Sequence, residues 1–304
     1  MTVHATPPPR YRGRFAPTPS GPLHHGSLLT ALASWLDARS HGGQWLLRID
    51  DLDRPRCVPG ADRRILEQLE AHGLAWDEAP RYQSAHLNAY RAALDTLEQS
   101  GALYACRCTR AELAVMQHAG VDGPVYAGTC RSLHLPQDGN AWRFAIGAGT
   151  LTLDDGIQGL LKRDAAKDIG DFVVRRRDGI YGYHLACAID EHAQGITDIV
   201  RGADLIGSTF AQLALMARLG RPAPRYAHVP VLLGTDGLKL SKQNHATAID
   251  DRLAADNLRV CLRQLGQPAP EALSHASVAE LLDWATRRWR LAAIAPRAVM
   301  TAAL

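Results

Sequence analysis

The sequence has no run of about 18 consecutive apolar residues, so it offers no conventional membrane-spanning helix. Residues Met1 to Arg10 hold three consecutive prolines (Pro7 to Pro9) and no apolar stretch, which excludes a secretory signal peptide. They read as a disordered leader, residues 1–10, and the expected location is then the cytoplasm. Charge of one sign is scarce too. The net charge is +3, which makes no case for nucleic acid by itself. Arg175-Arg176-Arg177 and Arg287-Arg288 with Arg290 could touch phosphates, although runs this short are more often solvated faces. There is no internal repeat and no low-complexity core.

What remains is an ordinary globular composition, 46% hydrophobic and 21% charged over 304 residues, ample for a buried core. Arg12 to Ala16 reads as a short strand. Pro17-Thr18-Pro19-Ser20-Gly21-Pro22 cannot be regular structure, because three prolines remove donors and fix φ. Leu28 to Arg39 reads as a helix, with Leu28, Leu29, Leu32, Trp35 and Leu36 on one face. Trp45 to Ile49 is an apolar strand running into Asp50-Asp51-Leu52-Asp53. Asp62 to His72 and His86 to Ser100 are amphipathic helices, and Leu103 to Ala105 is strand-like. This alternation predicts an α/β fold, a parallel sheet with helices on both faces.

From Cys106 to Pro136 the periodicity breaks down, and it resumes near Trp142. Asp178-Gly179, between Asp171 to Arg175 and Tyr181 to Leu185, predicts a hairpin. Ile196 to Arg201 reads as a strand, Ser208 as the cap of a helix over Thr209 to Leu219, and Tyr226 to Leu233 as a core strand interrupted by Pro230. From Asp250 onward the chain reads as helical. Ser277-Val278-Ala279-Glu280 is a capping box that opens a helix to about Arg288.

Two segments hold the parts needed to activate a carboxylate on a nucleotide. That reaction spreads charge over phosphate oxygens, so it wants a helix N-terminus, close backbone approach, a neutral donor and mobile cations. In Pro17 to Ser27, Gly21 and Gly26 permit close approach, and His24 and His25 stand just before a helix. Lys239-Leu240-Ser241-Lys242 follows a strand and is bounded by the hinge candidates Gly234 and Gly237. Either segment alone is bland; their joint occurrence, each after a strand, is not.

Phe15-Ala16-Pro17-Thr18-Pro19-Ser20-Gly21-Pro22-Leu23-His24-His25-Gly26 resembles the HIGH signature of class I aminoacyl-tRNA synthetases in its glutamate-specific form. Lys239 to Lys242 resembles their KMSKS loop. Arg48 to Asp53, and Gly195 to Leu205 with its Ile-Val-Arg-Gly-Ala-Asp, resemble two further runs of the glutamyl branch. The resemblance covers residues 12 to 243 and implies a Rossmann-like catalytic domain over 11–249. It implies ATP, with Mg2+ expected on charge grounds. It makes His24, Lys239 and Lys242 catalytic, and assigns ATP to Pro17, Gly21, His24, Gly26, Ser27, Lys239, Ser241 and Lys242. Ser27 stands where many members carry a second histidine.

A glutamate substrate needs fixed cations for carboxylate and an anion for its amine, and arginine suits the first because its planar fork binds carboxylate bidentately. The resemblance places Arg14 and Arg201 on carboxylate, Tyr183 as a hydroxyl partner, Asp50 on the ammonium, and the backbone of Ala16 and Thr18 against L-glutamate. Asp50 is one methylene shorter than the family's usual Glu.

Six cysteines are present, and Cys106, Cys108 and Cys130 cluster. In a cytosolic chain such a cluster reads as metal or catalysis, and one structural Zn2+ wants four ligands. The residues leave Tyr126, His118 and His134 open as the fourth. In one truncated branch of the glutamyl family the insertion reads C-x-C then Y-x3-C, which Tyr126 to Cys130 matches, so the resemblance implies Cys106, Cys108, Tyr126 and Cys130 in a zinc-binding insertion over 106–136.

The chain ends 62 residues after Lys242, leaving a small helical region over 250–304 in place of the anticodon-binding domain of glutamyl-tRNA synthetases. That matches the truncated branch, whose members activate glutamate without tRNA and transfer it to the queuosine base at the wobble position of tRNA(Asp). The implied partners are L-glutamate and queuosine-carrying tRNA(Asp), with no membrane, acting as a monomer. Two other readings are a short enzyme charging a tRNA 3′ end and a non-catalytic paralogue that binds tRNA or protein.

Overall fold

A computed structural model describes residues 10–234 and 247–301. The chain opens with β1 (Arg12–Phe15), the Pro/Gly loop, α1 (His25–Ser40) and β2 (Gln44–Ile49). β1 and β2 pair in parallel, Arg14 opposite Leu46, and α1 supplies the crossover that parallel pairing requires. After α2 (Ala61–Ala71), β3 (Arg81–Tyr82) adds to the far edge of β2, again in parallel. α3 (Leu87–Gln99) and β4 (Leu103–Cys106) lead into the cysteine segment, which holds α4 (Arg110–Met116), β5 (His118–Gly120) and β6 (Gly123–Val125). β7 (Ala141–Phe144) pairs antiparallel with β4 and with β10 (Phe172–Arg175). β8 (Thr150–Asp155) and β9 (Gly159–Asp164) form the hairpin between them.

α5 (Tyr183–Ala193), β11 (Asp198–Gly202), α6 (Ile206–Arg218) and β12 (Arg225–Val229) form the second parallel unit, with Arg201 opposite His228. The two parallel ladders abut where Thr197 N–H donates to Arg12 O at 3.0 Å and Arg12 N–H donates to Thr197 Oγ1 at 2.8 Å. The carboxyl ends of β1 and β11 therefore lie side by side, the place where parallel α/β sheets bind ligands. β13 (Val231–Leu233) follows Pro230. α7 (Ala254–Gln264) and α8 (Val278–Arg288) then pack on α1, and β14 (Val299–Thr301) returns to β13. Leu28, Leu32 and Leu36 of α1 share one core with Leu258 and Leu262 of α7 and Leu281 of α8.

The observed structure departs from the sequence expectations in several places. Asp178-Gly179 does turn, with Gly179 at φ 86°, but the returning chain makes only the bridge Arg175 to Tyr181 before α5 begins. Tyr183 to Leu185 are helical, because Leu185, Ala186, Ala188 and Ile189 bury one helical face. Gly182 makes this entry possible, since a Cβ there would stand 2.4 Å from Val173 O. Ser208 caps nothing: a short turn over Ala203–Leu205 runs directly into α6, which starts two residues before it. Residues 106–136 are not irregular throughout, for Thr109 and Glu112 form a capping box that opens α4. Past Asp250 the chain is not wholly helical, because β14 pairs with β13.

Candidate active site

α1 begins earlier than its apolar periodicity suggested. His24 is its N-cap, and His24 Nδ1 accepts the Ser27 N–H at 3.2 Å, while Ser27 Oγ lies 2.9 Å from His24 Nε2. The helix end carries partial positive charge from its unsatisfied N–H groups, and it opens onto a cavity of about 540 Å3. Arg14, Ala16, Pro17, Thr18, His24, Gly26, Ser27, Tyr183 and Arg201 all line that cavity. Gly21 and Asp50 are not in its lining. Lys239, Ser241 and Lys242 lie outside the described residues. Another cavity, of about 790 Å3, lies around Tyr11, Asp37 and Trp289, where Asp37 is engaged by Tyr11 Oη at 2.6 Å and Trp289 Nε1 at 2.9 Å.

The buried charges beside the first cavity balance. Arg14 Nε donates to Glu191 Oε1 at 3.0 Å, and its Nη2 lies 3.0 Å from the same oxygen. Arg48, fully buried, donates to Asp50 Oδ1 at 2.8 Å and reaches Glu191 at 3.3 Å. Asp190 takes Arg81 Nε at 3.0 Å, Gln83 Nε2 at 2.9 Å and Tyr90 Oη at 2.7 Å. Three guanidiniums thus face three carboxylates, which is how a dry interior tolerates charge. Burial resists the ionisation of Glu191, but Arg14 and Arg48 overcome it and hold its carboxyl below the ordinary range. At Asp50 burial wins over Arg48, whose charge is shared, and pushes the carboxyl up to about 6.

Arg201 is oriented from below. Its Nη2 donates to Thr209 Oγ1 at 2.6 Å and Gln212 Oε1 at 2.9 Å, and its Nε lies 3.3 Å from His228 Nε2. His228 Nδ1 sits 2.5 Å from Asp155 Oδ2, and Asp155 Oδ1 accepts three backbone N–H groups, from Ile157, Gln158 and His228. Burial and the Arg201 charge keep His228 neutral, pulling its pKa below the ordinary value. With Nδ1–H given to Asp155, Nε2 is left as the acceptor for Arg201. Arg201 Nη1 is buried and has no hydrogen-bond partner among the described residues. A guanidinium that lines a cavity and keeps a spare donor can take up a carboxylate.

Glu191, His228, Thr209 and Arg56, which also lines the cavity, were not singled out from sequence. Glu191 lies 177 residues from Arg14 and His228 73 from Asp155, so no local pattern announces either pairing.

In the cysteine segment the Sγ atoms of Cys106, Cys108 and Cys130 lie within 4.8 Å of one another. Tyr126 Oη is 3.6 Å from Cys106 Sγ and 3.5 Å from Cys108 Sγ, and it accepts the Cys130 N–H at 2.8 Å. A tetrahedral thiolate site with bonds of about 2.3 Å has edges of roughly 3.8 Å, so these four donors fit one metal ion. Burial opposes ionisation of Cys130, yet hydrogen bonds from Tyr126, the Arg107 amide and the neighbouring thiols bring it down to about 7. Of the two histidines left open by the sequence, His118 Nε2 is held by Lys167 O at 3.0 Å, and neither joins the cluster.

With this geometry in view, comparison with known proteins is decisive. Residues 10–265 match the family described as tRNA synthetases class I (E and Q), catalytic domain, and the chain belongs to that family. It is therefore a ligase of the aminoacyl-tRNA synthetase type, a class that binds ATP. Within the class the chain is similar to curated glutamyl-Q tRNA(Asp) synthetases. That of Chromobacterium violaceum is 51% identical over 93% of this chain and 95% of its own length. That of Serratia proteamaculans is 48% identical over 93% and 91%. A crystal structure of glutamate-tRNA synthetase from Elizabethkingia anophelis is similar at TM-score 0.78 and 25% identity, covering 95% of this chain and 67% of that one.

Proposed function

We propose that the chain activates L-glutamate with ATP, without tRNA, and transfers the glutamyl group to the queuosine base at the wobble position of tRNA(Asp). The observation that carries the reading is Arg201, a buried guanidinium with an unpartnered Nη1, which lines together with Arg14 a cavity capped by the α1 N-terminus. Two fixed guanidiniums suit a substrate with two carboxylates, and the helix end suits phosphate. The names of the relatives support the same acceptor.

In this reading a glutamate carboxylate oxygen attacks the α-phosphorus, the bond to the pyrophosphate oxygen breaks, and the acceptor later displaces AMP. Arg14, Arg201 and Tyr183 hold carboxylate, Asp50 holds the ammonium, and the backbone of Ala16 and Thr18 lies alongside. Pro17, Gly21, Gly26 and Ser27 cradle ATP with its Mg2+, while His24, Lys239, Ser241 and Lys242 neutralise phosphate charge as it develops. Cys106, Cys108, Tyr126 and Cys130 hold one structural Zn2+ that fixes the insertion. The catalytic domain spans 11–249 with the insertion at 106–136, and 250–304 forms a small helical region. The enzyme acts as a monomer in the cytoplasm.

The test is glutamate-dependent pyrophosphate exchange without tRNA, followed by transfer of labelled glutamate to tRNA(Asp) with and without queuosine, and to tRNA(Glu). The reading expects exchange, and transfer only to the queuosine-containing tRNA(Asp). Absence of exchange, or charging of tRNA(Glu), would overturn it.

A further inference from the structure

Three arginine-bearing segments lie in contact, one of them reaching the cavity through Arg56. Arg54–Arg56 follow β2, Arg175 to Arg177 close β10, and Arg107 stands between two of the clustered cysteines. Contacts chain them together. Asp53 Oδ2 takes Arg56 Nε at 2.7 Å and lies 3.6 Å from Arg176 Nη1. Arg177 Nη2 donates to Arg107 O at 2.9 Å, and the Arg175 guanidinium lies 5.2 Å over the Trp142 ring. Arg56 lines the cavity itself, so the surface begins where the chemistry is.

Six guanidiniums gather here beside three carboxylates. Asp53 and Asp178 are engaged by Arg56 and Arg176, and Glu112 folds back on Thr109. Arg54, Arg107 and Arg177 are exposed and form no salt bridge to a carboxylate among the described residues. An isolated small anion would need one such group. A surface of unpaired cations running from a cavity mouth suits a polyanion that presents one residue to the cavity while its backbone continues outward.

We infer that this arginine surface holds the phosphates of the acceptor RNA beside the nucleotide presented to the cavity. The inference rests on the functional reading above, and the tRNA-free half-reaction separates the two.

The variant R54A/R107A/R177A replaces no residue assigned to glutamate, ATP or metal, and although Arg107 stands between Cys106 and Cys108, its contact to Cys130 comes from the backbone amide, which alanine keeps. Its glutamate-dependent exchange should stay within about twofold of wild type, which also reports its folding. Its Kd for queuosine-containing tRNA(Asp), by filter binding, and its KM in transfer should rise tenfold or more. The log–log salt dependence of binding should flatten by about 2, at roughly 0.7 per lost contact to a single-stranded loop. Unchanged Kd and salt slope would overturn the inference. If wild type shows no exchange the functional reading fails, and the binding measurement still decides whether RNA uses this surface.

Discussion

Glu191→Gln keeps the shape of a buried side chain and removes its charge. Glu191 is 1% exposed and serves two guanidiniums, Arg14 at 3.0 Å and Arg48 at 3.3 Å. After the substitution Arg14, Arg48 and Arg81 face only Asp50 and Asp190, leaving one uncompensated buried cation. Breaking a buried pair in this way costs about 3–5 kcal/mol. At about 2–4 °C per kcal/mol for a sizeable domain, Tm should fall by roughly 10 °C at pH 7. Stability of about 5–15 kcal/mol leaves the variant folded at room temperature. The pH dependence adds a signature. Because the folded-state pKa of Glu191 is depressed, its stabilisation is complete above the unfolded value near 4.5 and is lost as pH falls through the folded value. Melting curves of wild type and variant should therefore converge as the pH drops below 4.5. Glutamate KM in pyrophosphate exchange should rise at least tenfold, since Arg14 loses the partner that orients it. A Tm at pH 7 within about 2 °C of wild type, or a gap that persists in acid, would refute the electrostatic account.

Other perturbations probe the remaining parts. Asp50, raised to about 6, must ionise to hold an ammonium, so glutamate KM should fall by up to about tenfold per unit between pH 5 and 6 and level off above; a flat profile contradicts that role. Lys242→Ala should lower the rate of adenylate formation by about 100-fold or more with little change in ATP KM, as expected of a contact made in the transition state. Cys130→Ser should abolish bound zinc in elemental analysis and lower Tm, and Tyr126→Phe should weaken zinc retention during chelator challenge; unchanged retention would remove Tyr126 from the ligand set. His228→Gln should raise glutamate KM about tenfold while ATP KM stays within twofold, because His228 acts through the orientation of Arg201.

The candidate site residues could be proposed from sequence because most of them sit in short contiguous runs. The Pro/Gly/His loop, the Asp50 run and the Arg201 segment each announce themselves within a dozen residues; the structure brings the first and the last around one cavity together with Tyr183, while Asp50 stays outside its lining. Local rules failed where tertiary contacts decided. Asp178-Gly179 promised a hairpin, but burial of Leu185 and Ile189 on α5 won over the strand propensity of Tyr181 and Tyr183. β14 was invisible because three residues after a helical region carry no periodicity, and only the free edge of β13 gives them a partner.

The same distinction explains what the sequence could not say about the arginines. Arg14 and Arg201 could be picked out as cations, but not as cations already tied down. Arg14 is held by Glu191, and Arg201 by Thr209, Gln212 and His228, with Asp155 behind it. Each arginine would otherwise lose up to about 2 kcal/mol of rotamer freedom on meeting its ligand. Here folding has already borne that cost, and the buried network offsets it. The surplus donor, Arg201 Nη1, is left without a partner among the described residues, a desolvation cost that the proposed carboxylate would relieve. In the proposed site, holding the substrate would thus depend on residues far away in sequence that never need to touch it, which is why Glu191 and His228 are the substitutions that test the proposal most sharply.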